Sequence, residues 1–284
     1  MRTRDVLAGP ALLAWSVYSK LWWSPPGFRV AVFHDVAAHN TEALAATVDD
    51  LISGPGILTP GDAARWALSG VPPMDPPSGH HPVVLSFDDG FVSNHRIAAD
   101  VLEPRGIKAL FFINPGLVDL PEAAQRTALA NNTLDGAVEP SHLPPDLRLM
   151  TWREIGDLAD AGHEIGCHGL THLRLSQLSG SALEHEILGA ADLLAERVGR
   201  ETDWYAYAFG DIDSITQSAL RIIGRRFPIC RSGVRGLNTS ETPSTAILAE
   251  EVNLATSPSH RLLAAQGGLD FRYRAQVKRL QDLT

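Results

Sequence analysis

The sequence predicts an α/β fold in which parallel strands form a closed or nearly closed barrel. Short apolar runs alternate with segments of helical periodicity along the 284 residues. Alternating strands and helices favour parallel pairing with right-handed crossovers. The number of such units, about seven, favours a barrel over a small open sheet.

The predicted strands are apolar runs that end in polar or turn-forming residues. They cover 29–33, 83–87, 109–113, 164–167 and 204–208, with shorter candidates at 229–231 and 251–254. Helical periodicity predicts connecting helices at 41–53, 62–68, 93–103, 151–161, 181–198, 214–223 and 260–283. We expect Asp213 to cap the helix that begins at Ser214.

Two segments stand outside this alternation. Residues 1–27 are predicted to form an N-terminal amphipathic helix and linker before a barrel domain at 28–284. We expect this helix, with Trp15, Trp22 and Trp23, to pack on the barrel, with weak membrane or partner contact through 1–24 as the alternative. Residues 119–148 are weakly periodic and rich in proline, which predicts an inserted loop, either a lid over a substrate groove or a tolerated insertion.

Composition limits the partners, the roles of the cysteines and the cellular locations that we expect. A net charge of −9 argues against a nucleic-acid partner, which requires a basic surface. Two cysteines do not make a disulfide framework, so we expect both to be core residues. The apolar N-terminal stretch is shorter than the roughly 20 residues that span a bilayer, and no small-x-small cleavage site follows it. We therefore expect the protein in the cytoplasm or at the cytoplasmic face of a membrane, with secretion not excluded.

Paired carboxylates follow the second predicted strand. Asp88 and Asp89 lie between the apolar run 83–87 and Gly90. Adjacent buried carboxylates repel each other, so such a pair requires a cation or a shared proton. A plain turn after a strand is the alternative interpretation of the pair.

Two histidines supply the second part of the pattern. His168 and His172 are four residues apart after the strand at 164–167, a spacing that lets both bind one metal ion. One carboxylate and two imidazoles would complete a three-ligand site and leave the other carboxylate as a base. Because the carboxyl ends of parallel barrel strands meet at one rim, we expect these residues to converge there, together with His34 and the turn at 209–211.

These motifs resemble those of the polysaccharide deacetylases of the NodB-homology type, carbohydrate esterase family 4. The family's T/S-F-D-D-G-[FY] signature is Ser86 to Phe91 here, and its H-[ST]-x-x-H signature is His168 to His172, with Gly169 in place of the hydroxyl residue. Residues 32–36 resemble the family's opening YHxV strand, and 205–210 resemble its third signature. The resemblance covers roughly 28–255.

The resemblance implies a distorted (β/α)7-type barrel with one divalent metal ion. It implies Asp88 as the general base and Asp89, His168 and His172 as the metal ligands, with zinc expected first and other transition metals as alternatives. A metal ion suits this chemistry because it polarises an amide carbonyl and lowers the pKa of bound water. The implied substrate is a carbohydrate.

The sequence departs from the family at three places. The late Leu-x-His that carries the general acid is not evident, so we expect His34 to replace it. The third signature has Ala208 for its proline and lacks the arginine that orients the base. Arg231 is expected to be a solvated loop charge. We expect Tyr207, Phe209 and Gly210 to contact substrate or stabilise the oxyanion.

The leading hypothesis is a metal-dependent hydrolase that removes an N-acetyl or similar acyl group from an amino sugar of a polysaccharide or glycan intermediate. An O-deacylase or deformylase on the same barrel is one alternative, since an ester leaving group needs less help from an acid. A non-catalytic glycan-binding protein that retains its metal is the other.

Overall fold

The computed structural model describes residues 3–21, 25–73 and 80–284. Within the first range, side chains are described for 7–17. Trp22 and Trp23, which the sequence placed on the N-terminal helix, lie outside the described residues.

In the described part of the chain, eight strands form one sheet. They are β1 (Gly27–Phe33), β2 (Val83–Phe87), β3 (Leu110–Ile113), β4 (Glu164–Cys167), β5 (Trp204–Ala206), β6 (Ile229–Arg231), β7 (Asn238–Thr239) and β8 (Glu250–Glu251). Strands β1 to β6 lie side by side in chain order and pair in parallel. At the β1 edge, β7 adds an antiparallel pair and β8 a parallel one.

A single segment, 247–251, joins the two edges of this sheet. Ile247 forms a parallel bridge with Arg231, and its N–H donates to the Cys230 carbonyl at 2.9 Å. Three residues later, Glu250 is in register with Ala31 of β1. The curved parallel sheet is therefore closed by a seventh element, which confirms the predicted distorted (β/α)7-type barrel.

Alternate strand residues fill the barrel interior, as the two-residue period of a strand requires. An inner cluster includes Val84, Phe112, Trp204 and Ile229, and Trp66 packs on Phe28 with ring centroids 5.5 Å apart. Gly166 on β4 makes room for the large aromatic ring beside it, since a Cβ there would lie 2.4 Å from Phe112.

Helices surround the barrel and pack on its outer face through a second apolar cluster. They are α1 (Thr3–Leu21), α2 (Thr41–Ser53), α3 (Pro60–Ser69), α4 (Val92–Ile97), α5 (Pro115–Val118), α6 (Glu122–Ala128), α7 (Trp152–Asp160), α8 (Gly180–Glu184), α9 (Ala190–Val198), α10 (Gln217–Arg226), α11 (Pro258–Ala265) and α12 (Arg274–Gln281). One-turn π segments continue α4, α6 and α8.

Two predictions about helices are wrong. The single helix expected at 260–283 is divided into α11 and α12, because Gly267 adopts a left-handed φ of +84° against the guanidinium of Arg29. The cap of α10 is Thr216, whose hydroxyl accepts the Ala219 N–H at 3.2 Å. Asp213 instead pairs with Arg279 on α12.

The N-terminal helix α1 lies against α11. Ala8 is buried, and the Trp15 indole donates to the Gln266 carbonyl at 3.0 Å. Leu7, Leu13 and Val17 are exposed on its outer side. Among the described residues, no helix has both the length and the apolar character to cross a membrane. The division into 1–27 and 28–284 and the membrane or partner contact stay predictions.

Candidate active site

The candidate site lies where the central strands end. Asp88 and Asp89 follow β2, His168 follows β4, the turn at 207–210 follows β5, and Arg231 ends β6. Asp89 has a φ of +68° and Gly90 a φ of +71°. A left-handed aspartate is uncommon and strained, and such strain concentrates at functional sites.

The three predicted ligands converge. The Oδ1 atom of Asp89 is 3.4 Å from Nε2 of His168 and 3.2 Å from Nε2 of His172. All three side chains are at most 5% exposed. Their ligand atoms lie within 4.8 Å of one another, so one ion could contact all three.

Backbone carbonyls fix the orientation of both imidazole rings. Nδ1 of His168 is 2.7 Å from the Ala206 carbonyl, and Nδ1 of His172 is 3.0 Å from the Asn132 carbonyl. A carbonyl only accepts hydrogen bonds, so both Nδ1 atoms carry the proton and a neutral ring presents the Nε2 lone pair. This is the arrangement that metal-binding histidines adopt in proteins.

The charge state of Asp89 also fits a cation. Burial raises the pKa of Asp89, but the two neighbouring imidazoles outweigh burial and hold the pKa well below its usual value. Burial lowers the pKa of His172, but Asp89, the Asn132 carbonyl and Asp88 together raise that pKa above its usual value. Within the described part of the chain, Asp89 Oδ1 is buried without a hydrogen-bond partner. One carboxylate oxygen and two imidazole nitrogens match a catalytic zinc site that leaves a position open.

Asp88 is held by an arginine that the sequence did not indicate. Nη2 of Arg231 donates to Asp88 Oδ2 at 2.5 Å, and the same oxygen lies 4.0 Å from His168 Nε2. Arg231 is 2% exposed and its guanidinium lies over the Phe112 ring. The expectation of a solvated charge is therefore wrong. Arg231 lies at the carboxyl end of a short strand, as the other site residues do. That position in the sequence could have identified it as a site residue.

A buried glutamate explains the glycine in the histidine motif. Oε1 of Glu186 accepts the Thr171 N–H at 2.8 Å, and its Oε2 accepts the Thr171 hydroxyl at 2.9 Å. A Cβ on Gly169, whose φ is +81°, would lie 2.9 Å from Glu186 Oε1. The carboxylate therefore occupies the space that a hydroxyl residue at 169 would use.

These side chains open into a cavity of about 410 Å³. Besides Asp88, Asp89, His168 and His172, its wall includes His34, Thr133, Phe209, Gly210, Arg231, Gly233 and Glu251. His34 is exposed at the rim, and its role as an acid stays a prediction. Thr133 and Glu251 are wall residues that sequence reasoning did not identify.

The three residues of the predicted oxyanion turn are placed differently. Tyr207 is buried, and its hydroxyl donates to the Gly210 carbonyl at 2.9 Å, so this group braces the turn. Phe209 and Gly210 line the cavity, each with a left-handed φ. Their contribution to substrate binding or oxyanion stabilisation stays a prediction.

The predicted inserted loop at 119–148 reaches this cavity. It packs through Leu129, Leu143 and Leu147 onto Phe91, the last residue of the aspartate motif. It also carries Asn132, which orients His172, and Thr133, which lines the cavity. This segment therefore forms part of the cavity wall, and its role as a lid stays a prediction.

Comparison with known proteins places these features in a family. The family model described as Polysaccharide deacetylase matches residues 75–228, which is more than half of the chain. The chain belongs to the polysaccharide deacetylase family. It is accordingly a carbohydrate deacetylase, a hydrolase that acts on C–N bonds. No curated protein sequence matches it.

Solved structures share the fold of this polysaccharide deacetylase at low sequence identity. The deacetylase PplD from Streptococcus pyogenes, solved with acetate, is 16% identical with a TM-score of 0.65 over 85% of this chain and 99% of its own. IcaB from Ammonifex degensii is 20% identical with a TM-score of 0.63 over 85% and 98%. A polysaccharide deacetylase from Bacillus cereus is 17% identical with a TM-score of 0.62 over 84% and 69%.

Proposed function

We propose that this deacetylase removes an N-acetyl or similar acyl group from an amino sugar of a polysaccharide or glycan intermediate. We further propose that it requires one divalent cation held by Asp89, His168 and His172. The observation that carries both proposals is the arrangement in one cavity of this donor set beside Asp88 fixed by Arg231.

The cation would activate both reactants. When bound, a divalent ion polarises the acyl carbonyl and makes water a better nucleophile near neutral pH. Zinc is the first expectation, because the donor set has two nitrogens and one oxygen and zinc accepts such sets with an open position. Other transition metals accept the same ligands.

Asp88 would accept the proton of the attacking water. It lies beside Asp89 at the end of β2, and its Oδ2 is 4.0 Å from His168 Nε2. The hydrogen bond from Arg231 holds the carboxylate in a constant position in the cavity wall. A base held in this way contributes typically 10²–10⁴-fold to rate.

His34 would protonate the departing amine. It lines the same cavity as Asp88 from the end of β1, where it is exposed and free to exchange protons with solvent. Backbone groups of the turn at Phe209 and Gly210, which also line this cavity, would stabilise the oxyanion. Each assignment is a proposal from position and residue type.

Acetate release from an N-acetylated amino-sugar oligosaccharide tests the function, with and without a chelator. D88N should bind metal normally and lose about 10²–10⁴-fold in kcat. D89N and H172A should lose metal and activity together. D100N, an exposed aspartate far from the motif, is the matched control and should behave like the parent.

Unchanged turnover in D88N would contradict its role as the base. Activity that survives complete chelation would contradict the role of the metal. A matched O-acetyl substrate tests the acid, because an ester leaving group needs less protonation. H34A should therefore slow amide cleavage far more than ester cleavage, and equal losses would remove His34 from this role.

Cellular location and surface contact are separate proposals. We propose a location in the cytoplasm or at the cytoplasmic membrane face, with weak membrane or partner contact through 1–24. The exposed Leu7, Leu13 and Val17 on α1 support the contact. Cosedimentation with phospholipid vesicles tests it: L13D should reduce binding, and no binding by the parent would contradict membrane contact.

A further inference from the structure

The inserted loop contacts a proposed metal ligand directly. The Asn132 carbonyl accepts the Nδ1 proton of His172 at 3.0 Å, and the Asn132 side-chain amide donates to the Thr171 carbonyl at 2.8 Å. His172 itself has a left-handed φ of +62°. One residue of the insertion therefore sets both the backbone and the ring of a strained histidine.

Three residues further along the insertion, Asp135 is tied to the histidine loop. Nη2 of Arg174 donates to Asp135 Oδ2 at 3.0 Å, while Nη1 donates to Asp211 Oδ2 at 3.0 Å and to Ser214 Oγ at 2.5 Å. We call these four residues the Arg174 clamp. It joins the insertion, the histidine loop and the segment after β5.

The clamp also reaches the His172 ring indirectly, through the side chain of Phe209. The guanidinium carbon of Arg174 lies 3.8 Å from the centroid of the Phe209 ring. The Phe209 ring in turn meets the His172 ring edge-on with centroids 4.7 Å apart. The His172 imidazole is thus enclosed by Asn132 at Nδ1, by Phe209 beside the ring and by Asp89 at Nε2.

Other contacts hold the insertion on both sides of Asp135, since Leu134 packs against the small core around Phe91 and the Gly136 N–H donates to the Ala130 carbonyl at 2.9 Å. Leu129 and Ala130 are buried in the small core around Phe91. Beyond them, the backbone turns at Asp135, which has a φ of +53°, and Gly136. Asn132 lies between this buried base and the turn at Asp135, where the clamp adds a link through Arg174 and Phe209 to the His172 ring.

We propose that Arg174 and Asp135 are positioning residues that set the affinity for the divalent cation. They act by holding Asn132 and Phe209 against His172. This inference rests on the proposed metal site. Outer-shell partners of metal-binding histidines typically account for 10–100-fold in metal affinity. Exposed ion pairs add little to stability, so the contribution of the clamp should appear in metal binding instead.

The dissociation constant for Zn²⁺ and the melting temperature of the metal-free protein, measured on full-length variants, test the clamp. D135N and R174A should each weaken Zn²⁺ binding about tenfold, the lower end of that range. Their metal-free melting temperatures should stay close to that of the parent. R174K should behave like R174A, because a lysine amine cannot bridge Asp135 and Asp211 and stack on Phe209 together.

A matched control variant and a double-mutant cycle make the test specific to the clamp. D49N removes the same type of exposed arginine partner, since Asp49 pairs with Arg105 at 2.7 Å away from the site, and it should bind Zn²⁺ like the parent. The D135N/R174A double variant should bind no more weakly than R174A, because both substitutions remove one contact.

The outcomes separate the two proposals. If D135N and R174A bind Zn²⁺ within twofold of D49N while H172A loses it, the clamp proposal is overturned and the metal site stands. If H172A binds Zn²⁺ as tightly as the parent, the metal site itself fails. If metal-free R174A melts well below the parent, D135N alone decides, and normal Zn²⁺ binding by D135N overturns the clamp.

Discussion

Restoring the family residue at position 169 should damage this protein. Serine or threonine follows the first histidine in the motif that the chain resembles, so G169S appears conservative from the sequence. In the structure, Gly169 has a φ of +81° and the Glu186 carboxylate occupies the position of its absent side chain. We therefore expect G169S to be destabilised and to displace Glu186.

The structure gives the magnitude in two parts. A side chain in the left-handed region costs about 1–2 kcal/mol. Displacing Glu186 weakens its bonds to the Thr171 N–H and hydroxyl, at 2.8 and 2.9 Å. Bonds to charged groups are worth about 1.5–3 kcal/mol each, and the new hydroxyl can replace one of them. The expected total is about 2.5–5 kcal/mol. At about 2 °C per kcal/mol for a large domain, the melting temperature should fall by about 5–10 °C.

Thermal unfolding followed by circular dichroism measures this change. G199S is the matched control, because Gly199 has a φ of +78° and open space around its Cβ position. It should show the backbone strain alone, a fall of about 2–4 °C. In the E186A background, G169S should cost no more than G199S costs in the parent. Equal falls for G169S and G199S in the parent would refute the argument that Glu186 excludes a side chain.

Three further predictions concern the site and the core. R231K should lower kcat by about 100-fold with normal metal binding, because a displaced base loses about this much, and parent kinetics would contradict the role of Arg231. Zn²⁺ at 100 times its dissociation constant should add about 2.7 kcal/mol to the free energy of unfolding of the parent and nothing to that of H172A. Burial lowers the pKa of His163 to about 4. The contribution of neutral His163 to the free energy of unfolding is therefore full above pH 6.5 and is lost as the pH falls towards 4. From pH 7 to 5 the loss should be about 2 kcal/mol, and H163N, whose amide oxygen can still accept the Ala109 N–H, should lose less over this interval.

The sequence predicted the barrel and the convergence of the three proposed metal ligands because both depend on local patterns. Apolar runs mark strands wherever they lie, and parallel strands bring their carboxyl ends to one rim. Asp89, His168 and His172 each follow a strand within a few residues. Their convergence therefore follows from topology alone, without knowledge of any long-range contact.

The residues that support these ligands could not be predicted in this way. Arg231 meets Asp88 across 143 residues, and Asn132 meets His172 across 40. Such pairs depend on the register between strands and on the path of an irregular loop. Neither the register nor the loop path leaves a periodic signal in the sequence. Sequence patterns alone therefore indicate a solvated loop charge at Arg231 and an inserted loop of undecided role at 119–148.

The missing motif residues have a physical explanation in these contacts. A base needs a cation at hydrogen-bond distance, and the bond is the same whether that cation comes from the third motif or from the end of β6. Arg231 satisfies this requirement at 2.5 Å. A strained histidine loop likewise needs an acceptor for its backbone N–H, and Glu186 provides one where other members of the family have a hydroxyl. The interaction therefore requires an atom at a given position, and different strands or loops of the fold can supply that atom. By the same reasoning, His34 can be proposed as the acid because it lines this cavity, and the loss of amide cleavage in H34A is the test of that proposal.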